Sequence, residues 1–208
     1  MSLSPEWRFM KEPVFYTDAC ALMEQRVEKV FQGQEAELLW FLQHPSLYSI
    51  GTSGHERDVL QNPQKIPVYP TGRGGQVTYH GPGQLVGYVM LDLKKRSLSP
   101  KEFVYGVGSW IIAVLAGLKI DAWMVPDRIG VWVRLGEQEK KIASIGVRIR
   151  KGISFHGFAL NVSPDLIFFH QIVSCGLSQF QATSLEEMGV SSSPAELFLW
   201  FKELFPFS

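Results

Sequence analysis

Two cysteines in 208 residues, Cys20 and Cys175, are too few for a disulfide framework and sit at no metal-ligand spacing. Charge of one sign is not in excess either. Lys and Arg number 20, Asp and Glu 20, so no global field draws the chain to nucleic acid or to an anionic membrane. No apolar run approaches the ~20 residues of a membrane span, and residues 1–13 lack the apolar stretch of a signal peptide. Internal repeats, low-complexity tracts and Pro/Gly/Ser linkers are missing too. These absences lead us to expect one domain over 1–208, cytoplasmic, with no metal or cofactor and no nucleic-acid or membrane partner. At 46% hydrophobic and 19% charged residues, the chain has material for a sizeable core.

Periodicity places the elements. Residues 17–31 read as a helix, with Thr17 and Asp18 able to cap it, Met23, Val27, Val30 and Phe31 on one face, and Gly33 as the stop. Ser99-Pro100-Lys101-Glu102 is a capping box with Pro at the first helical position. The apolar face behind it runs Phe103, Val107, Trp110, Ile111, Val114, Leu115 and Leu118. Ser193-Pro194-Ala195-Glu196 repeats the device before a C-terminal helix, and Ser163-Pro164-Asp165 opens a short one leading towards Cys175. Residues 85–93 alternate as a strand. Residues 130–135 and 141–150 form a hairpin about the polar turn 136–139, and 153–162 is a third strand beside them. Hairpins with helices before, between and after them predict an α+β fold with a mixed, largely antiparallel sheet.

Three features carry chemistry. The densest is Arg73-Gly74-Gly75-Gln76-Val77-Thr78-Tyr79-His80-Gly81-Pro82-Gly83-Gln84, whose glycines let backbone N–H groups approach an oxygen while Thr78, His80 and Gln84 add side-chain donors. It is neither a Walker A loop nor a dinucleotide fingerprint; taken alone it reads as a glycine-rich turn around a core histidine. The second is Lys141, whose alternating strand face also carries Ala143, Ile145, Val147 and Ile149. A lysine there must find a partner for its charge unless it snorkels to water from the strand entrance. The third is Cys175, in a turn before Gly176 where a thiolate needs a nearby cation. Cys20, mid-helix among Ala19, Ala21 and Leu22, reads as a small buried hydrophobe. His156 to Asn161 adds a histidine, a glycine and an asparagine on one strand, and alone these read as a core His and a turn Asn.

Together the blocks Arg73 to Gln84, Lys141-Ile142-Ala143-Ser144-Ile145-Gly146, His156-Gly157-Phe158-Ala159-Leu160-Asn161 and Cys175-Gly176 resemble, in order, the lipoyl (octanoyl) transferase family. That family resembles the lipoate- and biotin-protein ligases in fold. The likeness extends from about His44 to Leu185. It implies that Cys175 is the acyl-thioester nucleophile and Lys141 the lysine that keeps it ionised. It also implies substrate contacts from Arg73, Gly74, Gly75, Gln76, Val77, Thr78, Tyr79 and His80, from Ser144, Ile145 and Gly146, and from Gly157, Phe158 and Ala159. The implied donor is octanoyl-acyl carrier protein. The implied acceptors are lipoyl domains of 2-oxoacid dehydrogenase complexes and the glycine cleavage H protein. One departure is Ser174, where the family usually has Pro. An ATP-dependent lipoate or biotin ligase would share the fold without needing Cys175, and a non-catalytic carrier-binding module would not need Lys141 and Cys175 together. Two basic concentrations, Lys94-Lys95-Arg96 and Arg148, Arg150 and Lys151, are either carrier-docking patches or solvated strand ends.

Overall fold

The computed structural model describes residues 4–173 and 181–207. Ser174, Cys175 and Gly176 lie outside the described residues.

Most of the chain builds one large sheet from β1 (Glu6–Phe9), β2 (Leu38–Leu42), β6 (Gln84–Met90), β7 (Ala122–Val125), β8 (Arg128–Leu135), β9 (Gln138–Arg150) and β10 (Ile153–Asn161). Their order across the sheet is β1-β2-β6-β10-β9-β8-β7, with the two-residue strand β11 (Gln181–Ala182) beside β9. Among the described residues, only β1 on β2 and β11 on β9 run parallel in it. A small second sheet holds β3 (Leu47–Ile50) between β4 (Val68–Pro70) and β5 (Val77–His80). The α+β expectation with a mixed, largely antiparallel sheet holds.

Each face is buried by the helices whose apolar stripes the periodicity marks. On one face lie α2 (Pro100–Gly117) and α4 (Pro194–Glu203), bringing Phe103, Val107, Trp110, Ile111, Val114, Leu115 and Phe201 onto Leu85, Val131, Ile142, Ala143 and Leu160. Trp110 Nε1 donates to Phe201 O at 2.9 Å, so the indole is buried without losing its hydrogen bond. Both capping boxes form. Ser99 Oγ accepts from Glu102 N and Glu102 Oε2 accepts from Ser99 N, and Ser193 with Glu196 does the same. On the other face α1 (Tyr16–Phe31) packs Ala19, Met23, Val27 and Val30 against Trp40, Val86, Tyr88, Phe155 and Ala159.

Three local expectations need correction. The helix over 17–31 starts at Tyr16 behind Phe15, with no side-chain cap. Thr17 and Asp18 lie inside the first turn, where the Asp18 charge still favours the helix N-terminus. Phe31 is 49% exposed, off the packed stripe. The short helix α3 (Ile167–His170) begins two residues after Asp165, whose Oδ1 accepts from Ile167 N.

The hairpin β9–β10 turns on Lys151 (φ 56) and Gly152 (φ 88), two positive-φ residues, as the tightest antiparallel turns require. Between β8 and β9 the register shifts. Val131 pairs with Ala143 but Trp132 with Lys141, so Ile142 is an extra residue bulged out of the ladder.

Candidate active site

A cavity of about 260 Å³ opens between the small sheet and the α1 side of the large one. Its floor follows from strand register. Ser144, Ala159 and Val86 stand in one row across β9, β10 and β6, and Gly146, Gly157 and Tyr88 in the next. The Gly146 position has no room for more: a Cβ there would stand 2.9 Å from Gly74 O and 3.1 Å from Arg73 Cδ. The walls come from Tyr16, from Arg73 to His80 without Gly74 and Tyr79, and from the β7–β8 corner at Asp127, Arg128 and Ile129.

Lys141 lines this cavity together with Ser144, Ile145 and Gly146, and it is 8% exposed. The strand face read from strict alternation is therefore wrong for Lys141. The Ile142 bulge puts Ile142 and Ala143 both into the helix-side core and turns Lys141 onto the opposite face with Ser144. Its side chain crosses Gly130, where φ is +141 and an added Cβ would lie 2.3 Å from Lys141 Cε and 3.0 Å from Nζ. The Trp132 ring stands 5.6 Å from Nζ, within cation–π range. The lysine is thus seated by a bulge, a glycine and an indole.

The glycine-rich segment is held by contacts the motif does not state. Arg73, 7% exposed, turns its guanidinium into its own neighbourhood: Nη2 donates to Ser49 O at 2.6 Å and Gln76 O at 2.8 Å, and Nη1 to Gly74 O at 3.0 Å. Gly74 contributes backbone, its N–H bonding Val147 O at 2.9 Å. Tyr79 points away from the cavity, stacked on Phe168 at 4.6 Å with its hydroxyl 3.0 Å from Ser46 Oγ. Strand alternation explains this, since Thr78 and His80 face the opposite way to Tyr79. Thr78 Oγ1 reaches Ser144 Oγ at a long 3.4 Å.

Three buried histidines are held neutral here, His80 and His156 on the cavity wall and His44 beside His80. Burial pushes His44 down to about 4, against a backbone bond to Val14 O that pulls the other way. His156, at a positive φ of 57, is lowered to about 3 by burial and then by the charges of Arg73 and Arg148. His80 is lowered well below the usual imidazole range by burial, by His44 and by Arg73. None of them supplies a positive charge near neutral pH; among the described residues the cationic side chains on the cavity wall are Arg73, Arg128 and Lys141, beside Asp127.

Val86, Tyr88, Tyr16 and the 127–129 corner escaped the motif reading. Alternation along 85–93 separates Val86 and Tyr88 from the opposite face, which was the available signal; nothing local marks the corner. Three of the six residues in the basic clusters meet acids. Arg96 is buried against Glu37, Lys95 faces Asp92 at 3.5 Å, and Lys151 meets Glu28 at 2.9 Å.

The chain enters the undescribed stretch from Val173, whose N–H donates to Asp58 O at 2.8 Å. It returns at Gln181 and Ala182, which pair with Lys140 and Lys141.

The family model for the lipoyl protein ligase A/B catalytic domain matches residues 16–199. An octanoyltransferase of Parvibaculum lavamentivorans is 49% identical over 206 residues, covering 97% of this chain and 91% of the relative. An octanoyltransferase of Zymomonas mobilis is 43% identical, with 98% and 94% covered. Among solved structures, a bi-partite lipoate protein ligase from Thermoplasma acidophilum superposes with a TM-score of 0.66 at 17% identity, covering 97% of this chain and 82% of that one. A biotin protein ligase from Aquifex aeolicus superposes with a TM-score of 0.52 at 14% identity, covering 95% and 66%.

Proposed function

The chain belongs to the lipoyl protein ligase A/B catalytic-domain family, and we propose that within it the chain is an acyltransferase that places an octanoyl group on a protein lysine. The observation that carries this reading is near-full-length identity of 49% and 43% to octanoyltransferases. The solved ligases, at 17% and 14% identity, share the fold alone. The donor is an acyl carrier protein and the acceptor a lipoyl domain, such as those of 2-oxoacid dehydrogenase complexes or the glycine cleavage H protein.

In the first step the Cys175 thiolate attacks the thioester carbonyl of octanoyl-phosphopantetheine. The tetrahedral adduct collapses, the carrier thiol leaves with a proton, and octanoyl remains as a thioester on Cys175. In the second, the ε-amine of the acceptor lysine attacks that thioester and loses a proton, and Cys175 leaves as thiolate. Thioester to thioester is nearly balanced and thioester to amide runs downhill, so neither step needs ATP. Lys141 supplies the positive charge that favours thiolate and carries protons between the half-reactions. Its burial on the cavity wall, and its pairing with Ala182 only seven residues beyond Cys175, support that pairing. Backbone N–H groups of the glycine-rich strands are the donors for the oxyanion. Val86 and Ala159, with Gly157 of the neighbouring row, take the acyl chain, each buried CH₂ contributing ~0.8 kcal/mol.

Incubation with octanoyl-carrier protein and no acceptor should add one octanoyl mass to the chain, released by hydroxylamine and mapping to Cys175. With acceptor, transfer should run at full rate after apyrase and EDTA treatment. A label on Cys20, or none, removes the acyl-enzyme; a strict need for ATP moves the chain to the ligases.

A further inference from the structure

A directed line of hydrogen bonds runs from the cavity wall into the core, and its polarity is forced from one end. Arg73 has only donors, and its Nε and Nη2 both reach Ser49 Oγ, at 3.2 and 2.8 Å. The Ser49 hydroxyl hydrogen therefore goes to His80 Nε2, 3.1 Å away. His80 then carries its proton on Nδ1 and donates to Gln84 Oε1 at 2.8 Å. That orients the Gln84 amide, whose Nε2 donates to Asn161 Oδ1 at 2.9 Å and to Tyr79 O at 3.2 Å. Asn161 Nδ2 is left to donate to Thr183 O at 2.9 Å. Each of these side chains is at least nine-tenths buried, so water does not compete for the bonds.

The line ends on the backbone that seats Lys141. Thr183 N donates to Lys141 O at 2.9 Å, and Asn161 O accepts from Leu185 N at 3.1 Å. Strand β11 is only two residues long, and it pairs where the bulge has interrupted the β8 ladder on the other side of Lys141. Asn161 grips the chain on both sides of Ser184, with its amide and with its carbonyl, and so fixes the strand against which Lys141 is registered. We propose that Asn161 is a positioning residue for Lys141, with Gln84 setting the orientation of its amide. This rests on Lys141 acting in the transfer reaction. Asn161 does not line the cavity, so its effect passes through Lys141 and not through substrate contact.

Asn161→Asp tests the proposal, because it is isosteric. Oδ1 still accepts from Gln84, while the second oxygen faces Thr183 O, acceptor against acceptor. Asn161→Leu removes both amide bonds, to Gln84 and to Thr183, and leaves the backbone carbonyl bond to Leu185 N. At pH 8 with octanoyl-carrier protein, each variant should lower kcat by about a hundredfold, as misplacing a reacting group by an ångström does, with KM for the donor little changed. In a Cys20→Ala background, the pH midpoint for iodoacetamide alkylation of Cys175 should move up towards that of Lys141→Met. If Asn161→Leu does not fold, Asn161→Asp carries the test. A wild-type kcat and alkylation midpoint in Asn161→Asp overturns the proposal, as does a loss of thermal stability with the midpoint unmoved. An alkylation midpoint that Lys141→Met itself leaves in place means instead that the reading of Lys141 is wrong.

Discussion

Lys141 depends on its neighbours more than on its own strand. Gly130 leaves no space for a methyl group beside Lys141 Cε, and Ala143 O would lie 2.8 Å from the same Cβ. Gly130→Ala should therefore displace the lysine or the bulge and lower transfer, and its φ of +141 adds backbone strain. Lys141→Met keeps the apolar stem and removes the charge. We expect the fold to survive, transfer to fall by orders of magnitude, and Cys175 alkylation to shift to higher pH towards the ~8.5 of a free thiol. Cys20 must be replaced for that measurement, although burial raises its own thiol pKa and slows its reaction. Full activity in Lys141→Met would hand the cation's task to another group. The buried histidines are poor candidates, since each is held neutral.

The helices are cut by local chemistry that tertiary contacts then use. Ser99 and Ser193 each close a capping box with Pro at the first helical position, and both helices cover the face of the sheet away from the cavity. Ser99→Ala should cost ~1 kcal/mol of unfolding free energy in urea and leave transfer unchanged, since the box touches no cavity residue. A comparable loss of activity would mean that the start of α2 is coupled to the site. In contrast, α1 has no side-chain cap and begins at Tyr16, which forms part of the cavity wall. Its start is decided by packing: the Tyr16 ring lies 5.4 Å from His44 and 5.3 Å from Tyr69.

Across the whole molecule, the neutral histidines tie stability to pH. His44 and His156 titrate at about 4 and about 3 when folded, and near 6.5 when unfolded. Between those values the unfolded chain binds more protons, so stability is complete above pH 6.5 and lost as pH falls towards 4. Within that window each histidine costs about 1.4 kcal/mol per pH unit. The lowered carboxylates, Glu6 and Glu187 among them, add their loss only below about 4.5, the usual range for Glu. Urea midpoints should therefore fall steeply between pH 6.5 and 5, and His44→Asn should flatten the slope. A midpoint independent of pH over that interval would show that these rings are not buried neutral.

Much of this protein is determined by the chain alone. The two capping boxes are local hydrogen-bond geometry, the stripes of α2 and the alternation of 85–93 are periodic burial, and the ordered blocks from Arg73 to Gly176 identify the family. Such features act within a few residues, so a linear reading reaches them. The seat of Lys141 was decided elsewhere. Strict alternation puts it with Ala143 and Ile145, and a one-residue bulge, set by pairing with β8, turns it to the other face. The partners of Asn161 lie 77 residues away at Gln84 and 22 away at Thr183. The His80 tautomer follows from a Ser49–Arg73 contact spanning 24 residues. Only when the sheets closed did these groups meet, because a buried polar atom takes whichever partner the packing brings, and no local pattern encodes that choice.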